Sequence, residues 1–240
     1  MNTFYQTDLA YVHDTGFSDF ASHAAGMIIN QLNEKVGKKG LVIDLGCGSG
    51  VIAQELLKNN FEVLGIDQSA ELIEIAKKKA PTAKFIIDSF FNTDFPHCIS
   101  VISTSECLNY ATEKNNAAGL KEIFLKIYNA LQNGGLFIFD MIGPHSTDKN
   151  YMIEYADWTM FVHVYTCQDS TKLVRDVTLF RKIGDYYRKS TEQHKVNLYS
   201  QNQITTLLKD VGFEVSLFKE YGDLNLEDHH TGFLCRKTVD

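Results

Sequence analysis

This sequence has no Cys-x-x-Cys pair, no apolar run approaching the ~18 residues that cross a bilayer, and no surplus of basic residues. Each absence removes a class of function. The five cysteines, Cys47, Cys98, Cys107, Cys167 and Cys235, are odd in number and unpaired by spacing, which suits reduced thiols in a cytoplasm. The 23 lysines and arginines stand against 30 acids, a formal charge of −7, whereas binding to a phosphate backbone depends on basic side chains displacing counterions. Nucleic acid is therefore not an expected partner. The amino terminus, with Asp8 and Asp14, lacks the basic start of a secretory leader. A cytoplasmic protein without membrane contact is expected, as a monomer or homodimer. No metal is expected: His229-His230 beside Glu227 and Asp228 reads as a loop cluster without a spaced partner pair.

What the chain does have is the stretch Leu41-Val42-Ile43-Asp44-Leu45-Gly46-Cys47-Gly48-Ser49-Gly50. A β-branched apolar run ending at alternate glycines reads as a buried strand that turns abruptly into a helix. Glycines there permit positive φ and let a ligand approach the backbone closely. Asp67 ends the next strand, Glu62 to Ile66, about 20 residues on, the separation at which a doubly wound sheet offers a carboxylate to ribose hydroxyls. The pair points to an adenosine-type cofactor. Phosphate-binding versions of this turn fit poorly. A dinucleotide fingerprint needs glycine where Val51 stands, and a P-loop needs a lysine after Gly50.

Strand and helix alternate through the first 145 residues, as a parallel sheet requires. Helices are expected over Val51 to Asn59, Ala70 to Lys79 with Ser69 as cap, and Ala117 to Leu131, and strands over Lys84 to Ile87, Ile99 to Thr104 and Leu136 to Asp140. The rhythm breaks from His145 to Val196. There Trp158 to Tyr165, Leu173 to Lys182 and Tyr186 to Val196 read as three antiparallel strands, with Gly184-Asp185 as a hairpin turn. Helix Ser200 to Val211 follows, then strands Glu214 to Lys219 and Gly232 to Arg236.

The arrangement Asp44-x-Gly46-x-Gly48-x-Gly50, with Asp67 ending the second strand, resembles motif I of class I S-adenosylmethionine-dependent methyltransferases. The resemblance implies an α/β fold: a Rossmann-like seven-stranded sheet with helices on both faces, a final antiparallel hairpin, and an antiparallel β cap inserted after the fifth strand. Residues 1–144 and 197–240 would form the cofactor domain, with 1–36 as a helical cover, and 145–196 the cap. S-adenosyl-L-methionine would sit on Asp44, Gly46, Cys47, Gly48 and Gly50, with Asp67 and Gln68 at the ribose, Asp88-Ser89-Phe90 at the adenine, and Thr104 and Ser105 at the methionyl group.

Methyltransferases of nucleic-acid amines carry a Pro-Pro-aromatic motif where this chain has Cys107-Leu108, so the resemblance favours a small-molecule acceptor, with nitrogen preferred to oxygen. The acceptor would lie near Asn109 and Tyr110. A sulfonium methyl is already activated, so the protein mainly aligns donor and acceptor, with a base where the acceptor needs one. His13, Glu106 and His194 are the candidates. His194 shares a strand face with Arg188, Ser190 and Glu192, an alternation expected to face solvent. Tyr11 either covers the methionyl end or packs, and Trp158 serves either the cap core or the acceptor platform. Two alternatives stay open: an NAD(P)-dependent oxidoreductase, and a methyltransferase-like protein that binds cofactor without turnover.

Overall fold

The structure, a computed structural model, describes residues 4–37, 39–110 and 117–238. Two helices, α1 (Thr7–Gly16) and α2 (Ser18–Gln31), precede the first strand β1 (Leu41–Leu45). Helix α3 (Val51–Lys58), β2 (Glu62–Asp67), α4 (Ala70–Lys79) and β3 (Lys84–Ile87) then build one side of a sheet. Strand β4 (Cys98–Ser103), α5 (Ala117–Ala130) and β5 (Leu131–Ile142) build the other. Helix boundaries follow local chemistry. Ser69 accepts the Leu72 N–H at 3.1 Å to start α4, whose last turn carries Lys77, Lys78 and Lys79 toward the negative end of the dipole.

After β5 come the four cap strands β6 (Asp148–Glu154), β7 (Trp158–Thr166), β8 (Lys172–Ile183) and β9 (Tyr186–Asn197). Helix α6 (Gln201–Val211) opens on a reciprocal Ser200–Gln203 capping box and closes at Gly212. Strand β10 (Phe213–Phe218), the short ribbon β11 (Glu220–Tyr221) and β12 (Leu224–Asn225), and β13 (His230–Lys237) finish the chain.

The main sheet has seven strands in the order β10-β13-β5-β4-β1-β2-β3, with β13 antiparallel to both neighbours and the other pairings parallel. Chain order reverses beside β1, between β2 and β4, so the carboxyl end of β1 opens onto the crevice where α/β sheets bind ligands. One face is covered by α5 and α6 around Phe124, Phe137, Phe139 and Phe233, and the other by α2 and α3 around Ile28, Val42, Leu56 and Tyr221. No helix among the described residues is long and apolar enough to cross a membrane.

The cap differs from expectation in two ways. It has four strands rather than three, because Asp148–Glu154 forms an edge strand that is exposed along almost its whole length and so carries no apolar alternation. The second difference concerns orientation. Of Arg188, Ser190, Glu192 and His194, Arg188 is half exposed, and the other three turn inward. Register pairs them with Arg181, Leu179, Val177 and Arg175 on the face that also carries Trp158, Met160 and Val162, and that face packs on α1. Arg188 Nε bonds Asp8 Oδ2 at 2.7 Å, and the guanidinium holds the Asp8 carboxyl below its usual range. His194 is buried.

Candidate active site

The glycine turn rests on β2, where Gly46 N–H and Cys47 N–H both donate to the Ile66 carbonyl, at 2.8 and 3.2 Å. Gly46 has φ +73°, and a Cβ there would lie 2.1 Å from Cys107 Sγ, so the position admits no side chain. Gly48 has φ +52° and the opposite surroundings: a Cβ would meet only His13 Cε1, at 3.9 Å. Its N–H donates to Asp67 Oδ2 at 2.9 Å, while Asp67 Oδ1 accepts the Ser69 N–H at 2.9 Å. The turn therefore presents open backbone to a cavity, with Asp67 fixed beside it.

That cavity is partly open to solvent and encloses about 1040 Å³ when its mouth is included. Asp44, Asp67 and Asp88 line it, and among the described residues no lysine or arginine does. Asp44 is buried, and its Oδ2 has no hydrogen-bond partner. Burial, with the Asp67 charge adding to it, pushes the Asp44 carboxyl up to about 7. Burial likewise raises Asp67, against the Ser69 and Gly48 N–H groups that favour its anion. Such a site repels a pyrophosphate and suits a ligand that carries positive charge, as a sulfonium with an α-ammonium group does. The residues present thus fit S-adenosylmethionine and not a dinucleotide. Gln68, Phe90, Thr104, Ser105 and Cys47 also line the cavity.

A second cavity, about 1630 Å³, lies beneath the cap and adjoins the first at Tyr5, His13, Phe17, Ser105 and Tyr110. Glu106 enters it from a strained turn, with Ser105 at φ 59° and Glu106 at φ 52°. Buried Asp140 secures that turn by accepting the Ser105 and Glu106 N–H groups, at 2.9 and 2.7 Å, and the Tyr221 hydroxyl at 2.9 Å. Glu106 Oε1 pairs with Arg175 Nη2 at 2.5 Å, and Oε2 has no hydrogen-bond partner. His13 borders both cavities with its Nδ1 buried and unpartnered. Burial lowers its pKa to about 4, so its ring is neutral at physiological pH.

Tyr5 closes the junction. Its carbonyl accepts the Ser69 hydroxyl at 2.8 Å, its N–H donates to Glu192 at 2.9 Å, and its hydroxyl is bonded to that of Tyr110 at 2.9 Å. Tyr110 in turn bonds His194 Nδ1 at 3.0 Å, whose Nε2 faces Glu192 at 3.1 Å.

Several sequence-predicted residues lie elsewhere. Tyr11 does not line either cavity; it donates to Asp157 at 2.6 Å beneath the Arg181 guanidinium. Asn109 is fully buried, and its amide ties β5 to β9 through Ile142 and Asn197, with both N–H groups and the oxygen engaged. Trp158 is cap core, stacked on Tyr155. Ser89 shapes the turn after β3, and Gly50 caps α3 against Ala76; neither lines the cofactor cavity. Tyr5, Phe91, Arg175 and His230 line a cavity without having been expected. Arg175 carried one usable signal, a charge inside an otherwise apolar alternation on β8.

A family model described as a methyltransferase domain matches residues 37–212. YqeM of Bacillus subtilis (strain 168), provisionally named a methyltransferase, is 27% identical over 195 residues, or 74% of this chain and 75% of that protein. The S-adenosylmethionine-dependent methyltransferase from Clostridium acetobutylicum ATCC 824 superposes with a TM-score of 0.82 at 17% identity, over 96% of this chain and 98% of its own. The sugar N-methyltransferase KedS8 from Streptoalloteichus sp ATCC 53650 gives 0.78 at 15% identity, over 100% and 94%. The structural likenesses support the fold alone, and the family match supplies membership. With the acidic cofactor cavity and the reversed final hairpin, these findings place the chain in the methyltransferase-domain family, as an S-adenosylmethionine-dependent enzyme.

Proposed function

We propose that this enzyme methylates an amine nitrogen of a small molecule held beneath the cap. The observation that carries the reading is the shared wall of Tyr5, His13, Phe17, Ser105 and Tyr110 between an acidic cofactor cavity and a larger, mixed cavity under the cap. The printed name of KedS8, a sugar N-methyltransferase of like fold, favours nitrogen over oxygen. Residues 1–144 and 197–240 serve the cofactor and 145–196 the acceptor.

Asp67 and Gln68 hold the ribose, Asp88 and Phe90 border the adenine, and Asp44 with Thr104 and Ser105 receives the methionyl end. When bound, the cofactor supplies a methyl group activated by its own positive charge. The chain's task is to bring the acceptor into line and exclude water, an effect worth up to about 7–11 kcal/mol in favourable systems. Tyr5 and the cap enclose the junction. His13, neutral and with Nδ1 unpartnered, faces it without adding charge.

Asp67→Ala tests the cofactor assignment. Loss of a charge-assisted hydrogen bond should weaken S-adenosylmethionine binding by about 1.5–3 kcal/mol, read by calorimetry; unchanged affinity removes Asp67 from the ribose role. A second expectation follows from Asp44. Below pH 7 its carboxyl is largely protonated in the free protein and must lose that proton to face an ammonium cation. Binding should therefore release close to one proton at about pH 6 and almost none at about pH 8.5, with affinity rising over that interval. Calorimetry in buffers of different ionisation enthalpy measures the release, and none at low pH would exclude the Asp44 contact. The acceptor class is read by incubating the enzyme with methyl-labelled cofactor and fractionated metabolites: label in the amine fraction supports the proposal, and label confined to hydroxyl products overturns it.

A further inference from the structure

We propose that Glu106 and His230 form the clamp that holds the acceptor nitrogen and takes its proton, with His230 Nε2 as proton acceptor and Glu106 as charge partner. This deepens the amine reading and rests on it. His230, which the sequence placed in a loop, opens β13 and lines the cavity under the cap. Its Nε2 and Glu106 Oε2 are both buried, both lack a hydrogen-bond partner, and stand 3.9 Å apart. Two unsatisfied buried polar atoms facing one another are costly unless a third group completes them. One nitrogen at about 2.9 Å from each would bridge that gap. An amine with two N–H groups serves both acceptors, whereas a hydroxyl has a single hydrogen to donate.

The other histidines of this cavity are less suited to the role. His194 is engaged at both ring nitrogens, by Tyr110 and Glu192. His145 stacks on His229 at 4.3 Å and bonds the Gly143 carbonyl. His13 has a spare nitrogen, but burial makes it a weak base at neutral pH. The dyad is also rigidly placed. Arg175 fixes the far oxygen of Glu106, Asp140 fixes its backbone, and Lys219 bonds the His230 carbonyl. The charged groups around His230 are thus Glu106, Asp140, Arg175, Glu227 and Lys219.

In the reaction the amine lone pair forms the new N–C bond as the C–S bond breaks, and that bond's electron pair stays on sulfur. The surplus N–H proton of the methylated amine passes to His230 Nε2, giving an imidazolium beside the Glu106 carboxylate, and leaves to water. His230 must carry its resting proton on Nδ1.

Two measurements test this. In histidine-labelled protein loaded with S-adenosylhomocysteine, the His230 Nε2 resonance, assigned from His230→Gln, is followed by NMR as benzylamine is added. It should shift in the wild type, and Glu106→Gln should weaken that response about tenfold, because an amide cannot match the carboxylate as acceptor for an amine N–H; an unchanged response in the Glu106 variant overturns the dyad. In the second, wild type and His230→Gln are compared with benzylamine, cyclohexylamine and their hydroxyl analogues as probes. The variant should bind S-adenosylmethionine within about twofold of wild type yet lose about 30- to 100-fold in kcat near pH 7, recovering as pH rises and free amine accumulates. Amine methylation by the variant at the wild-type rate and pH profile refutes the clamp and leaves the amine reading intact. Wild-type transfer to the hydroxyl probes alone refutes the amine reading itself.

Discussion

Asp140→Ala is expected to destabilise the protein by about 3–6 kcal/mol, the largest effect of any single change outside the apolar core. Asp140 is fully buried and accepts three hydrogen bonds, from the Ser105 and Glu106 N–H groups and the Tyr221 hydroxyl. Removing it strands three donors at about 1–3 kcal/mol each, partly relieved if water enters. Two of those donors belong to residues held at positive φ, a strain of order 1–3 kcal/mol per residue that the carboxylate helps to hold in place. For a chain of this size each kcal/mol lowers Tm by about 2–4 °C, so thermal unfolding should begin some 10–15 °C earlier. Asp140→Asn keeps one acceptor oxygen and should fall between the two. A loss under about 1 kcal/mol in the alanine variant would show that the turn supports itself.

Gly46→Ala should abolish measurable cofactor binding and cost about 2–5 kcal/mol of stability. The new Cβ would lie 2.1 Å from Cys107 Sγ, and overpacking of a filled site costs about 1–3 kcal/mol. The backbone at φ +73° adds about 1–2 kcal/mol for any residue with a Cβ. Relief of either strain moves the turn away from the cavity. The two causes separate in the double variant with Cys107→Ala, where the overlap with sulfur disappears and the dihedral cost stays. Partial rescue of Tm is the expected result, and cofactor titration by calorimetry reports whether the turn has returned. Wild-type affinity in the single variant would dissociate the turn from the cofactor.

The parts of the site that were legible in the sequence are those made by neighbours along the chain. The strand into Gly46, the carboxylate at Asp67 and the acid at Glu106 occupy fixed places at the ends of parallel strands, and local patterning is enough to find them. Polar residues whose partners are distant were not legible. Glu192 and His194 have the alternation of a solvent face, and only cross-strand register with Val177 and Arg175 turns them inward. Asn109 reads as an acceptor contact because it follows β4, yet its amide is consumed by carbonyls of β5 and β9. His230 looked like a loop residue because the strand it opens is ordered by pairing with β5, far back in sequence. Strand β6 carries no sequence signal, because an exposed edge needs no apolar period.

The inward polar face of β9 also bears on redesign. Arg188 and Glu192 anchor Asp8, Tyr5 and Gln6, and Tyr5 is part of the wall of the cofactor cavity. A chimera that imports a foreign cap to change acceptor preference would cut those tethers and leave the donor pocket without one side. A graft replacing residues 145–196 would have to bring a matching partner for Tyr5, Gln6 and Asp8 to keep that wall in place.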